Sequence, residues 1–155
     1  MIARVLPYVL AVVAFVVLIA NEASIVPLID SGEISLSGLY SSVFGWSAIQ
    51  TGFLFSVYGF IAGKQDGFVG AIKGTPALHR FANDLLAAIV FGFLLTIFSM
   101  PLIVYPPSTE SQWYGYTLVC FWFSLFILAF SSFCRVAFEF GIMVRVPDSQ
   151  DRLAH

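Results

Sequence analysis

Residues 38–64 read GLYSSVFGWSAIQTGFLFSVYGFIAGK, an apolar stretch whose only charged residue is its last, Lys64. Glycine recurs at every seventh position, and one more glycine follows a helical turn later: Gly38, Gly45, Gly52, Gly59 and Gly63. In a water-soluble helix each glycine would cost about 1 kcal/mol relative to alanine. In lipid, small residues on one line let two helix backbones approach closely. The repeat therefore predicts a helix-packing seam inside a membrane.

The composition of the whole chain agrees with a membrane setting. Of its 155 residues, 59% are hydrophobic and only 10% are charged, against about 25% charged in a typical soluble domain. A spanning helix needs about 20 predominantly apolar residues, and four segments meet this requirement: about 5–20, 40–63, 85–105 and 114–133. These continuous runs are too long for barrel strands, which alternate apolar and polar residues over about 10 positions. The sequence predicts an all-α, single-domain bundle of four transmembrane helices over residues 1–155, with a cytoplasmic extension of the fourth.

The first apolar segment has two interpretations. Arg4 precedes it and small residues follow at Ala20 and Ala23, as in a signal peptide. The run is long and its cleavage pattern is poor, so we interpret it as an uncleaved first helix. We expect this helix to stop near Ala20, with residues 24–29 dipping back along the membrane surface.

The positive charges predict the orientation. Every Lys and Arg falls before the first helix, between the second and third, or at and after the end of the fourth: Arg4, Lys64, Lys73, Arg80, Arg135, Arg145 and Arg152. The other two connections contain acidic residues but no Lys or Arg. Short loops rich in Lys and Arg stay cytoplasmic. Both termini are therefore predicted to be cytoplasmic, in a multi-pass protein of the cell's inner (plasma) membrane.

Bulky side chains on the fourth helix are candidates to fill the glycine seam. They recur at spacings of four, four and three: Trp122, Phe126, Phe130 and Phe133. A seven-residue repeat keeps one face turned toward a neighbour in a left-handed crossing. The aromatic side chains could meet the glycines within one chain or between protomers of a homo-oligomer, and the sequence leaves both open.

Polar residues inside the predicted spans also allow two interpretations. Those of most interest are Gln50 and Thr51 on the second helix and Ser124 and Ser131 on the fourth. Lipid offers no hydrogen-bond partners. Such groups therefore either bond neighbouring helices or line a narrow polar path, which could become a pore on oligomerisation.

Charges near the inner boundary form a second set of candidates. Arg135 and Glu139 lie four residues apart on one helix face, either as a boundary ion pair or as a switch or partner-binding charge. The connection over residues 64–84 carries Lys64, Lys73 and Arg80, which suit anionic lipid headgroups or a protein partner. We expect Asn83 or Asp84 to cap the third helix.

Groups for chemistry are scarce. The two histidines, His79 and His155, have no nearby Cys or carboxylate at ligand spacing, so no metal or cofactor is predicted. No Ser–His–acid arrangement or intramembrane pair of carboxylates suggests catalysis. With a net charge of −2, the chain lacks the basic surface that nucleic acid requires, and no nucleic-acid partner is predicted. We therefore expect a protein that is not an enzyme.

The layout of short-looped spans with both ends inside resembles many small bacterial inner-membrane proteins, including membrane components of anti-phage and toxin systems. The sequence favours a non-enzymatic membrane subunit that self-associates and docks a cytoplasmic protein partner, as a sensor, anchor or scaffold. The alternative is a small oligomeric pore or transporter, including a membrane effector of a phage-defence or toxin system.

Overall fold

The computed structural model of the chain describes residues 2–63, 75–107 and 113–145. Every regular element in those ranges is a helix. The bounds are α1 Ile2–Ala20, α2 Glu22–Asp30, α3 Leu36–Gly63, α4 Pro76–Val104 and α5 Trp113–Val144. The all-helical prediction is confirmed.

Two of these helices are long and apolar enough to cross a bilayer: α4, and α5 from Tyr114 to Val144. A third span results if α1 and α2 count together, since Val5–Ala20 and Glu22–Asp30 meet at a bend of 76°. α3 is 28 residues long, but its glycines, serines, Gln50 and Thr51 lower its hydropathy. The chain is thus a helical membrane protein with two candidate spans, or three if the bent pair is one span. The four-span arrangement stays a prediction.

The break between α1 and α2 is held by side chains. α1 ends at Ala20, where the sequence predicts its end, and the Asn21 Nδ2 atom donates to the Val17 carbonyl oxygen at 2.7 Å. The Tyr116 hydroxyl of α5 donates to the Leu18 carbonyl oxygen, also at 2.7 Å. Both carbonyl oxygens also accept from the Asn21 backbone N–H, at 3.1 Å each. The two side-chain bonds therefore add to the backbone bonds at the end of α1, where lipid offers no hydrogen-bond partners.

α3 and α4 pack through matching repeats. Their most buried residues alternate at spacings of four and three. On α3 they are Leu36, Tyr40, Val43, Ser47, Gln50, Leu54 and Val57, and on α4 Phe81, Leu85, Ala88, Gly92, Leu95, Ser99 and Leu102. The start of α3 shares one core cluster with the end of α4, and the end of α3 shares another with the start of α4. The two helices are therefore antiparallel, with the periodicity of a left-handed coiled coil.

α5 completes both core clusters. Val119, Trp122 and Ala129 join the cluster around Tyr40 and Leu95, while Val136 joins the one around Leu54 and Phe81. α1 packs mainly on α5. Its other sides are exposed and consist almost wholly of apolar residues, as a surface bathed in lipid would be.

α4 begins earlier than the sequence suggests. Its first residue is Pro76, and its N-cap is Thr75, whose Oγ1 accepts from the Leu78 backbone N–H at 3.4 Å. The prediction that Asn83 or Asp84 caps this helix is wrong. A threonine followed by proline at the first helical position is already a favourable start. Asp84 thus lies inside the helix, where its carboxylate can face another helix.

Candidate functional site

The glycine seam of α3 is exposed. If a Cβ atom were added to Gly45, Gly52, Gly59 or Gly63, it would meet no other part of the described residues within 4 Å. At Gly38 the nearest atom is the Oγ of Ser35, 3.2 Å away in the preceding turn. Of the two arrangements that the sequence leaves open, the one in which aromatic side chains of the fourth helix fill this groove within the chain is not seen among the described residues. Packing of the seam between two chains stays a prediction.

The physical reason is the aromatic residue that follows three of the glycines. The Trp46 ring contacts those of Phe126, Phe130 and Phe133 of α5, with centroids 5.6, 5.3 and 6.1 Å apart. Phe53 lies 5.9 Å from Phe133. Such edge-to-face and tilted contacts are favourable, and their bulk separates the α3 and α5 backbones. The aromatic stripe of α5 thus faces α3, but it meets rings instead of glycines.

The close helix contact uses a different glycine, Gly92 of α4. A Cβ there would lie 2.6 Å from Thr51 Oγ1 and 3.4 Å from Gln50 Nε2. Gly92 is not among the residues that the sequence patterns above single out. Its signal is the series Ala88, Gly92 and Thr96, three small residues spaced by four, which is typical of close packing between membrane helices.

Polar side chains join the three packed helices at several levels. Ser47 and Thr96 hydroxyls are 2.8 Å apart, linking α3 to α4. Trp122 Nε1 donates to Ser99 Oγ at 2.9 Å, linking α5 to α4. Gln50 Nε2 donates to the Ala129 carbonyl oxygen at 3.3 Å, linking α3 to α5. Tyr40 Oη and Gln50 Oε1 are buried and have no hydrogen-bond partner among the described residues.

The four predicted polar residues lie at different interfaces. Gln50 and Thr51 are buried against α4. Ser124 lines a groove between α1 and α5, and Ser131 lines a second groove between the same helices. The hydroxyls of Ser124 and Ser131 donate to carbonyl oxygens of their own helix, at 2.8 and 2.6 Å. Within one chain, these four residues therefore do not lie along a single path. Gln50 and Thr51 are at the interface of α3 and α4, whereas Ser124 and Ser131 are on the side of α5 that faces α1.

Arg135 is the centre of a charged cluster at the predicted inner boundary. Its Nη2 lies 2.5 Å from Asp84 Oδ2 of α4, and its Nε lies 3.1 Å from Glu139 Oε1 one turn along α5. The Arg135 and Asp84 side chains are each only about one-fifth exposed. The Arg135–Glu139 spacing was visible in the sequence, whereas the Asp84 contact depends on how α4 and α5 pack. Arg135 thus connects two helices.

Of the predicted inner-loop cations, Arg80 lies in the first turns of α4 and borders a cavity of about 380 Å³ beside Asp84, Arg135 and Glu139. Lys64 and Lys73 lie outside the described residues. Within the described ranges no three His, Cys, Asp or Glu side chains are grouped closely enough to hold a metal ion.

Comparison with known protein families, with curated proteins and with solved structures found no match in any of the three.

Proposed function

We propose that this chain is a non-enzymatic, four-span subunit of the inner membrane that self-associates through the glycine face of α3 and engages a cytoplasmic partner. One observation carries the proposal. α3 has one face packed on α4 with a four-three repeat, while a second face with a seven-residue glycine repeat is open to any neighbour. In lipid, such a face suits contact with another helix, because close approach of the two backbones gives the van der Waals attraction that replaces the missing hydrophobic effect.

The polar side chains favour a subunit over a pore. Ser47, Thr96, Ser99, Trp122 and Gln50 take part in hydrogen bonds that cross between helices. Each such bond contributes about 0.6–2 kcal/mol in a membrane. Of the four residues on which the pore or transporter alternative depends, Gln50 takes part in such a bond. Thr51, Ser124 and Ser131 bond carbonyl oxygens of their own helices, so a pore would have to bring them to a water-filled path formed between several chains.

A cysteine cross-linking experiment tests self-association in native membranes. In a chain with Cys120→Ala and Cys134→Ala, Ser56→Cys places one thiol on the exposed glycine face, where the Ser56 hydroxyl bonds only its own helix. We expect oxidation to give a covalent dimer. Leu86→Cys is the control, since Leu86 is 55% exposed on α4, away from that face. Equal cross-linking at both positions, or none at Ser56, would contradict the proposal.

A thiol-labelling experiment tests the predicted spans and orientation. We expect a membrane-impermeant reagent to label Glu33→Cys, between α2 and α3, in intact cells. Val144→Cys, at the exposed inner end of α5, should react only after the cells are opened. Labelling of both positions from outside would overturn the arrangement with four spans and cytoplasmic termini.

The end of α5 is the proposed place for a cytoplasmic partner. Ile142 and Val144 are 53% and 61% exposed, beyond the Arg135 cluster. A photo-reactive residue at Ile142 should give a specific cross-linked protein in cells. The same residue at Leu118, in the outer half of α5, should not give that product. Identical products at both positions would argue against a partner.

A further inference from the structure

An apolar groove of about 590 Å³ lies between α1 and α5, and Arg135 is one of the residues that line it. Its walls come from Leu6 and Leu10 of α1 and from Ile127, Phe130 and Phe138 of α5. Ser131 lines it as well, and its hydroxyl is turned to its own backbone at 2.6 Å. In a bilayer such a groove is filled by hydrocarbon, because contact between its apolar walls and water would be unfavourable in free energy.

Counted from Tyr114, the first residue of the candidate span, Arg135 is at the depth of the opposite lipid headgroups. Arg135 follows Tyr114 by 21 residues, a distance of about 32 Å along a helix. The hydrocarbon core of a bilayer is about 30 Å thick. An acyl chain in the groove would therefore bring its own headgroup to the Arg135 cluster.

The cluster offers both signs of charge to that headgroup. A guanidinium group has five N–H donors, and the two ion pairs to Asp84 and Glu139 engage its Nη2 and Nε atoms. Arg135 also borders the cavity that contains Arg80, Asp84 and Glu139. The four side chains sum to zero charge, two cations and two carboxylates.

We propose that this groove and cluster bind one phospholipid whose headgroup carries a primary ammonium, as in phosphatidylethanolamine. Its phosphate accepts from Arg135, and its ammonium donates to Glu139, which is the more exposed of the two carboxylates, at 31% against 20% for Asp84. Its acyl chain lies between α1 and α5. The proposal does not depend on self-association.

The charges favour this headgroup over two other common ones. An anionic glycerol headgroup would add one negative charge beside Asp84 and Glu139, which Arg135 already pairs, and it carries no cation to balance that charge. A choline headgroup carries a cation, but its trimethylated nitrogen has no N–H to donate to a carboxylate. Only a zwitterion with a primary ammonium uses both parts of the cluster.

Native mass spectrometry of the full chain tests this proposal. The purified protein is exchanged into micelles with phosphatidylethanolamine, phosphatidylcholine or phosphatidylglycerol of identical acyl chains. We expect one phosphatidylethanolamine to be retained at least about tenfold more tightly than phosphatidylcholine, the factor for one charge-assisted hydrogen bond. Equal retention of the three lipids by the wild-type protein, or a preference for phosphatidylglycerol, would by itself overturn the proposal.

Two variants separate the groove from the headgroup cluster. Ser131→Phe fills the groove and should abolish retention, whereas Leu118→Phe, about 20 Å away on the same helix, should not. Glu139→Gln should remove the preference for the ethanolamine headgroup over the choline headgroup, while the groove still binds the lipid acyl chain. Helical content by circular dichroism is checked first. Retention by Ser131→Phe equal to that of Leu118→Phe, or an unchanged preference in Glu139→Gln, would contradict the proposed site.

Discussion

Gly92 of α4 lies so close to Thr51 of α3 that a Cβ on the glycine would stand 2.6 Å from the threonine hydroxyl oxygen. The hydroxyl itself is held in place, since it donates to the Ser47 carbonyl oxygen at 2.8 Å. The glycines of α3 itself are on the exposed side of that helix. α3 is therefore built with two specialised faces, of which one packs within the chain.

Gly92→Ala should destabilise the α3–α4 pair. The added methyl must displace Thr51 or separate the helices, and overpacking of this kind costs about 1–3 kcal/mol. SDS-induced unfolding in mixed micelles, followed by far-UV circular dichroism, measures the loss. Gly141→Ala is the matched control, because a Cβ at Gly141 meets nothing within 4 Å among the described residues. Equal stability of the two variants would show that the close contact does not exist.

The Arg135–Asp84 ion pair should give a measurable coupling energy. Both side chains are largely buried, so we expect a double-mutant cycle of Asp84→Asn and Arg135→Gln to yield about 1–3 kcal/mol, between the values for exposed and buried pairs. Glu139 is more exposed, at 31%, and lies one turn away on the same helix. Its coupling to Arg135 should be nearer the roughly 0.3–0.5 kcal/mol of such pairs. Strict additivity of the Asp84 and Arg135 variants would rule out the interhelical pair.

Gln50→Leu should leave the free energy of unfolding unchanged or raise it by up to about 1 kcal/mol. The substitution loses a long hydrogen bond of 3.3 Å, but it also removes an Oε1 atom that is buried without a partner among the described residues. Ser47→Ala, which loses the 2.8 Å bond to Thr96, should instead lower stability by about 0.6–1.7 kcal/mol.

The same Gln50→Leu variant distinguishes the subunit from the pore. In liposomes loaded with a fluorescent ion indicator, the proposed subunit gives no flux in either form. A flux that is present in the wild type and lost in Gln50→Leu would support the pore alternative and count against the function proposed above.

The sequence predicts the helices well because apolar runs and charged connections mark where each one lies. The end of α1 at Ala20 was visible in this way. Periodicity alone could not decide which face of α3 packs. Both the glycine line and the series through Tyr40, Ser47 and Leu54 repeat every seven residues. A small residue allows close contact equally well with a helix of the same chain and with a helix of another chain.

The partner of Arg135 could not be predicted for a related reason. A half-buried guanidinium in a membrane helix needs a counter-charge, and Glu139 satisfies this need within the sequence of α5 itself. Asp84 becomes a partner because it lies inside α4, which starts at Pro76 and packs on α5. The contact therefore depends on how the two helices pack, which the sequence of either helix alone does not give.

The mass of the purified protein in mild detergent tests the central claim, that the glycine face of α3 binds a second copy of the chain. Gly45→Leu and Gly52→Leu together add bulk to that face at positions where a Cβ meets nothing within 4 Å among the described residues, and Gly141→Leu adds the same bulk at an equally open position elsewhere. Light scattering coupled to gel filtration should show a dimer or larger assembly for the wild type and Gly141→Leu, and a helical monomer for the double variant. A monomeric wild type, or a double variant that keeps the full assembly, would contradict this account.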